Sequence, residues 1–392
     1  MLFQTLDEKE NCVAVYVDGC LTKELPKNLS KTWAYSAFLR DYEIEYAYLY
    51  AGGKSLDELV PSEIESAWIE NNNKLKAFFR SFKIAKVSLE ENCFFDLVPS
   101  RFLLEYCELK NKITEHVFDT SPRPKNYEFL QGLLKVNTDI RHRKLNINLN
   151  SISTKIHKPN IRSLVKTVRS SNPYIDYNIF GTKTGRLTTK KKSFPILTMN
   201  KECRTIIEPN NDLFLELDYN AAELRTLLAL SGREQPVEDL HEWNAKNIYG
   251  GSQSREEAKK RIFAWLYNPD FKDCSLNKVY DRDIVLEKYY DGKHVTNPFG
   301  RKIESDHFHS VNLITQSTFA DLFLRQKIKV DEYLKKIKSE LAFSIHDCLV
   351  LDMTKDESKH ASEIIDLFSK TELGNFKVNV KIGKNYGEMK SV

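Results

Sequence analysis

Two aspartates sit where apolar strands end. Asp218 falls near the close of the run Leu213–Tyr219, and Asp347 lies at the joint of a second apolar stretch, 341–353. That stretch reads as two short strands meeting at Ile345-His346-Asp347-Cys348. A carboxylate at the end of a buried strand is costly unless it is paired or binds a cation. Two such groups side by side would repel, and a pair of divalent ions relieves that repulsion. Mg²⁺ favours a few carboxylates plus substrate phosphates over a cage made of protein alone. Two metals about 3.5–4 Å apart can activate a hydroxyl and stabilise a leaving pyrophosphate. Taken singly, each aspartate reads more simply as the cap of a turn or helix.

A second constellation is periodic. Arg255, Lys259, Phe263 and Tyr267 recur every four residues and so share one helix face. Ser254, with Glu257 three residues on, is a capping-box pattern that starts the helix. Two cations suit a triphosphate, and two aromatics suit a sugar and a stacked base. On spacing alone, an ordinary amphipathic helix with Phe263 and Tyr267 in a core fits as well.

The elements that must position these groups come from the rest of the chain. With 392 residues, 41% of them hydrophobic, it can bury a sizeable core in two or three lobes. Charged residues make up 29%, and the formal charge of +4 neither requires nor excludes nucleic acid. Basic runs at 155–158, 183–192 and 259–261 are candidate contacts, each alone explicable as a solvated face. Seven scattered cysteines without CxxC spacing predict neither a zinc site nor a disulfide framework, and a reducing compartment. No apolar run approaches the roughly 20 residues that span a bilayer, and the first residues lack a basic-then-apolar leader. A cytoplasmic location is expected, the host's if the source is viral. Residues 1 to about 90 read as a small α/β unit with strands at 13–17 and 46–50 and a helix over 62–84. From about 99 to 169 the pattern is mostly helical, broken at 121–124 and near Pro159. Residues 213–219 run as a strand into a helix over 221–230.

The ordered set of short motifs resembles one family. Leu217-Asp218-Tyr219-Asn220-Ala221-Ala222-Glu223-Leu224-Arg225 is similar to motif A of the A-family DNA polymerases, the bacterial DNA polymerase I type. Arg255-x-x-x-Lys259-x-x-x-Phe263-x-x-x-Tyr267 resembles motif B, and His346-Asp347 resembles motif C. Thr184-Gly185-Arg186-Leu187-Thr188-Thr189 looks like the TGRLSS segment before motif A. Asp239-Leu240-His241 resembles the DxH before the fingers helix. Asn312-x-x-x-Gln316 with Ala320-Asp321 is similar to the helix before motif C. The six signatures stand in family order between residues 180 and 352, roughly half the chain.

This resemblance implies an α+β, right-hand polymerase: a palm with an antiparallel sheet, helical fingers and thumb, and a small N-terminal α/β domain. The expected boundaries are 1–95 for the N-terminal domain, which looks like a degenerate exonuclease, and 96–175 for the thumb. Palm follows at 176–235, fingers at 236–310 and palm again at 311–392. The implied activity is template-directed addition of dNTPs to a primer 3′-hydroxyl, in a short, phage-like form of the enzyme. Two Mg²⁺ ions, or Mn²⁺ in their place, would be held by Asp218, Asp347 and the Tyr219 carbonyl. Arg255, Lys259 and His241 would grip the triphosphate, with Lys259 also protonating the leaving pyrophosphate. Phe263 would pack on the sugar and Tyr267 would stand near the templating position. Glu223 would be the gate against a ribose 2′-hydroxyl, and Arg204 a further triphosphate contact. Thr184, Arg186, Asn312, Gln316 and His346 would meet the primer–template. Basic residues between 135 and 169 would follow the duplex backbone. Implied partners are primer–template DNA, dNTPs and accessory proteins such as a helicase or a processivity factor, with no membrane.

The pattern has departures. Cys348 stands where the family has Glu, Asn268 where it has Gly, Ala221-Ala222 where it has Gln-Ile, and Phe308 where it has Arg. The stretch from 267 to 300 is short for the family's fingers. A proofreading exonuclease would begin with DxE on an apolar strand, but Asp18 has no such Glu, so proofreading is expected to be absent. Three rivals remain: a single-subunit RNA polymerase, disfavoured by Glu223 and Phe263; an inactive DNA-binding relative, disfavoured by Asp218, Asp347 and Lys259; and a reverse transcriptase, whose YxDD hairpin is missing.

Overall fold

The computed structural model describes every residue except Glu10, Glu90, Ser171, Asn172 and Pro269. The chain partitions into two units, Met1–His142 and Arg143–Val392. The division falls inside the expected thumb span. Helices Ser100–Thr120 and Tyr127–Arg141 lie in the first unit, and Pro159–Ser170 lies in the second. As the breaks suggest, one helix stops at Thr120 and another opens on Pro159, a first-turn position that does not need the missing N–H.

In the first unit, strands Gln4–Thr5, Val15–Val17 and Cys20–Thr22 form an antiparallel sheet. Leu6, Ala14 and Tyr16 pack on Phe102, Leu103 and Cys107 of the helix Ser100–Thr120. Asp18 and Gly19, both at positive φ (47° and 78°), make the tight turn between the last two strands. Asp-Gly is the preferred chemistry for such a turn, so Asp18 has a structural task there.

Two expectations for this unit need correction. Only Glu45–Tyr46 is strand, and 47–50 coil into a short helix. The aromatics that mimic strand alternation pack on helices instead: Tyr50 lies edge-on to Phe118 and Tyr127, and the Tyr127 hydroxyl accepts the Tyr46 N–H at 2.8 Å. Tertiary packing overrides the local pattern. Likewise, Cys12 and Cys93 form a disulfide across 81 residues of sequence, with Cα atoms 6.0 Å apart. Spacing along the chain carries no trace of that approach. Asp7 lies within 4.8 Å of both sulfurs. The remaining five cysteines are free thiols.

The second unit is built on a five-stranded antiparallel sheet. We label β1 (Leu213–Tyr219), α1 (Ala222–Leu230), α2 (Leu240–Asn247), α3 (Arg255–Tyr267), α4 (Cys274–Tyr280), α5 (Arg282–Tyr289), α6 (His307–Leu334), β2 (Glu340–Ile345), β3 (Cys348–Met353), α7 (Ala361–Ser369), β4 (Val378–Gly383) and β5 (Lys390–Ser391). The sheet order is β2-β3-β1-β4-β5, so β1 is central. Alternation along β1 assigns its two faces. Tyr219 stacks on Phe368 of α7, with ring centroids 4.2 Å apart, and meets Phe319 of α6 edge-on. Phe214, Glu216 and Asp218 project from the other face. The register sets Asp218 opposite Cys348 on β3 and Asn379 on β4.

A second core joins the helices. Leu224, Leu227 and Leu230 of α1 pack with Ile262, Trp265 and Leu266 of α3, Leu276 and Tyr280 of α4, and Ile314 of α6. Ile262, Trp265 and Leu266 therefore anchor α3. Tyr267 on the opposite stripe stays 40% exposed. The capping box is formed: Ser254 Oγ accepts the Glu257 N–H, and the Glu257 carboxylate accepts the Ser254 N–H at 2.8 Å.

Candidate active site

A cleft of about 530 Å³ opens above the end of β1. Asp218, Asn220, Glu223, His241, Arg255, Lys259, Phe263, His346, Asp347, Arg186 and Asn379 line it. Residues from strands β1 and β4, helices α1, α2 and α3, the β2–β3 turn and the loop before β1 thus converge on one space.

Asp218 arrives on the central strand. Asp347 arrives on the two-residue turn between β2 and β3, where His346 takes φ of 50°, a conformation that costs a non-glycine residue and tightens the turn. The Tyr219 N–H donates to the Asp347 carbonyl at 3.5 Å, so the two strand ends are stitched together. Burial, and then the Asp347 charge, push the Asp218 carboxyl up to about 6, against the hydrogen bond it accepts from Asn379 at 3.3 Å. Burial also raises Asp347. Two half-buried carboxyls that resist ionising together are a donor set of the kind a hard divalent cation suits.

The face of α3 points into this space. The Arg255 fork donates to both oxygens of Asp239, at 3.1 and 2.8 Å. Asp239 in turn caps α2 by accepting the N–H groups of His241 and Glu242. Burial alone would raise Asp239, but the Arg255 fork and these N–H groups outweigh it and hold the carboxyl well below the usual range. Lys259, one turn along, has no carboxylate partner among the described residues. Burial draws the His241 imidazole down to about 4, so it is neutral at neutral pH, and its Nδ1 is buried without a hydrogen-bond partner among the described residues. Phe263 and Tyr267 stack with ring planes 11° apart.

Glu223 faces this stripe from α1. It accepts Arg186 at 2.6 Å and the Tyr267 hydroxyl. Gly185, beside Arg186, has φ of 86°, and a Cβ there would lie 2.7 Å from the Arg301 guanidinium. Arg301 is fixed by Asp321 at 2.7 Å, so the Ala320-Asp321 motif braces the Thr184–Arg186 loop from beneath.

The remaining expected residues are placed around this centre. Thr184 is buried in its loop, and Asn312 and Gln316 sit on α6 outside the lining. Arg204 does not reach the cleft: its guanidinium lies 4.9 Å over the Tyr386 ring and donates to that hydroxyl at 3.1 Å. Cys348 is buried opposite Asp218, and burial, then the Glu216 and Asp218 charges, keep its thiol protonated. Sequence reasoning missed Asn379, which belongs to no motif and meets Asp218 only through the register of β4. Arg225, the last residue of the motif A segment, receives no role from the resemblance. That side chain is fully buried and donates to the backbone carbonyls of Asn220, Pro236 and Glu238, pinning the segment that leads to Asp239.

By its fold the chain is a polymerase-type domain of mixed helix and sheet. It superposes on the POL domain of Pol1 from M. smegmatis, a structure in complex with DNA primer–template and dNTP. The match covers 98% of this chain and 95% of that one, with a TM-score of 0.64 at 11% identity. No protein-family model matches. In sequence the chain resembles the A-family DNA polymerases. It is 23% identical over 289 residues to the DNA polymerase of Bacillus phage SP01. It is 24% identical over 248 and 239 residues to the thermostable DNA polymerases I of Thermus filiformis and Thermus thermophilus. These alignments cover 54%, 50% and 48% of this chain but only 31%, 30% and 29% of those proteins, so the chain spans about a third of the length of its curated relatives.

Proposed function

We propose that the chain is a template-directed DNA polymerase that adds dNTPs to a primer 3′-hydroxyl by two-metal nucleotidyl transfer. The observation that carries this reading is the convergence of Asp218 and Asp347, from two different strand ends, opposite the Arg255–Lys259–Phe263 face of α3. Polymerase names among the relatives and a neighbour solved with primer–template and dNTP support it.

The donor set suits Mg²⁺: two hard carboxylates whose mutual repulsion a divalent charge relieves, with the Tyr219 carbonyl beside them. Bound there, a pair of such ions supplies Lewis-acid activation of the 3′-hydroxyl and charge neutralisation at the leaving oxygens. In the step itself the 3′-oxygen bonds to the α-phosphorus of the dNTP, and the bond to the β-phosphate bridging oxygen breaks. The hydroxyl proton departs to solvent, and Lys259 donates a proton to the pyrophosphate. Lys259 meets the growing charge on the transferring group, and Arg255 joins it by exchanging part of its Asp239 pairing for phosphate. Phe263 offers a flat wall to the sugar, and Glu223 crowds the place of a 2′-hydroxyl. Arg186 and His346 lie at the cleft edge where the primer terminus would enter, with Thr184, Asn312 and Gln316 behind them.

In this reading the sheet is the palm, residues 236–310 the fingers, and 96–175 the thumb. In this reading Asp18, without the Glu of a DxE pair, marks no proofreading site, and the role is phage-type replication with accessory proteins supplying the remaining functions. Among the described residues no helix is long and apolar enough to cross a membrane.

The test is extension of a labelled primer–template with Mg²⁺ and dNTPs by wild type and Asp347→Ala, with a lane lacking dNTPs. Extension by wild type alone is expected. A folded, DNA-binding wild type that never extends the primer overturns the reading. Shortening in the lane without dNTPs overturns the absence of proofreading.

A further inference from the structure

The strand that delivers Asp347 is an edge. β2 pairs with β3 on one side only, so its outer backbone groups need partners from elsewhere. At Ser344, three residues before Asp347, a single hydroxyl meets both of them. Tyr177 OH donates to the Ser344 carbonyl at 2.6 Å and accepts the Ser344 N–H at 3.0 Å. On the inner face, Lys327 of α6 donates to Ser344 Oγ at 3.1 Å and lies 4.8 Å over the Tyr177 ring. Tyr177, Lys327 and Ser344 are 4%, 0% and 2% exposed. Fully burying a lysine is expensive in its charged form, and burial draws this amine down to about 7 against the pull of the Asp331 charge; it is placed at the strand rather than in a generic apolar site.

Tyr177 also belongs to the other side of the cleft. It pairs with Thr189, and Asn178 pairs with Thr188, closing the loop that carries Thr184, Gly185 and Arg186. Arg186 in turn lines the cleft beside Asp347 and binds Glu223. One buried knot therefore ties the Arg186 loop, the Asp347 turn and the long helix α6 together.

We infer that Tyr177 and Lys327 are positioning residues for the metal-binding turn: through Ser344 they set where Asp347 meets Asp218 and couple that position to the Arg186 loop. The inference rests on the polymerase reading for its purpose, but the turn's geometry is measurable without catalysis. Groups that hold a metal ligand in place through one intermediate typically change metal affinity or activity about 10–100-fold when removed.

The experiment is Mn²⁺ binding to the full chain, free of nucleotide and DNA, followed by electron paramagnetic resonance. Wild type, Tyr177→Phe and Lys327→Met are compared well below their unfolding temperatures, with Asp347→Ala as the reference for a lost ligand. Tyr177→Phe keeps the ring and removes the hydroxyl; Lys327→Met keeps the length and removes the donor. Both are expected to bind Mn²⁺ about tenfold more weakly than wild type. In primer extension both should lose kcat by a similar factor while the dNTP KM changes by less than about twofold. Wild-type Mn²⁺ affinity in folded Tyr177→Phe overturns the inference. If that variant does not fold, wild-type affinity in Lys327→Met overturns it instead. A wild type that binds Mn²⁺ through Asp347 yet extends no primer counts against the polymerase reading alone.

Discussion

The raised carboxyl of Asp218 makes a thermodynamic prediction that needs no substrate. In the unfolded chain this group titrates near 3.8, and in the folded cleft burial and the Asp347 charge bring it to about 6. A carboxyl raised on folding contributes stability that is fully present below the unfolded value and is lost as pH rises through the folded one. At about 1.36 kcal/mol per unit, ionising Asp218 in the metal-free cleft costs on the order of 3 kcal/mol. Solvent at the mouth of the cleft reduces this to about 1–2 kcal/mol. Asp218→Asn removes that cost. At pH 8 in chelator it should therefore unfold roughly 4 °C above wild type, and at pH 4 the gap should close. Added Mg²⁺ should raise wild type at pH 8 and leave Asp218→Asn nearly unmoved, because only the carboxylate is neutralised. Calorimetry at both pH values, with chelator and with Mg²⁺, reads all of this. A gap that is the same at pH 4 and pH 8 would show that Asp218 ionises as easily as in the unfolded chain and would refute the electrostatic argument.

Four further outcomes follow from named contacts. Glu223→Ala should admit ribonucleotides, measured as the dNTP-to-rNTP ratio of kcat/KM; an unchanged ratio removes the gate assignment. Lys259→Ala should lower turnover about 10²-fold or more with DNA affinity near normal, and an equal loss of DNA affinity would make Lys259 a duplex contact. Arg225→Met should destabilise the second unit by about 3 kcal/mol in denaturant melts, because several buried carbonyls lose their donor. Thiol titration of unfolded, unreduced protein should find five free thiols of seven, and Cys12→Ser with Cys93→Ser should lower stability by up to about 4 kcal/mol, as expected for closing a loop of this length.

Much of the site was legible along the chain because its signals are local. An α-helix displays positions four apart on one side, so Arg255, Lys259 and Phe263 had to share a face, and Ser254 with Glu257 had to start it. A strand buried on both sides announces itself by apolar content, so the ends bearing Asp218 and Asp347 stood out. The tight joint at His346-Asp347 followed from two apolar strands too close together for anything but a hairpin.

What lay beyond that reading depends on approach between distant residues. Asn379 meets Asp218 across 161 positions because β4 pairs with β1 in one register. Cys12 finds Cys93, and Tyr177 finds Ser344, because packed helices and sheets bring separate segments within bonding distance. Arg204 carries a charge suited to a triphosphate, but its place above Tyr386 keeps it out of the cleft. The run 46–50 has the alternation of a strand, yet Tyr50 gains more by packing on Phe118 and Tyr127. Residue order sets which chemical groups are available and which face of each element they occupy, since backbone geometry repeats with fixed periods. Which groups meet is set by packing, because register, edge partners and burial are properties of the folded chain.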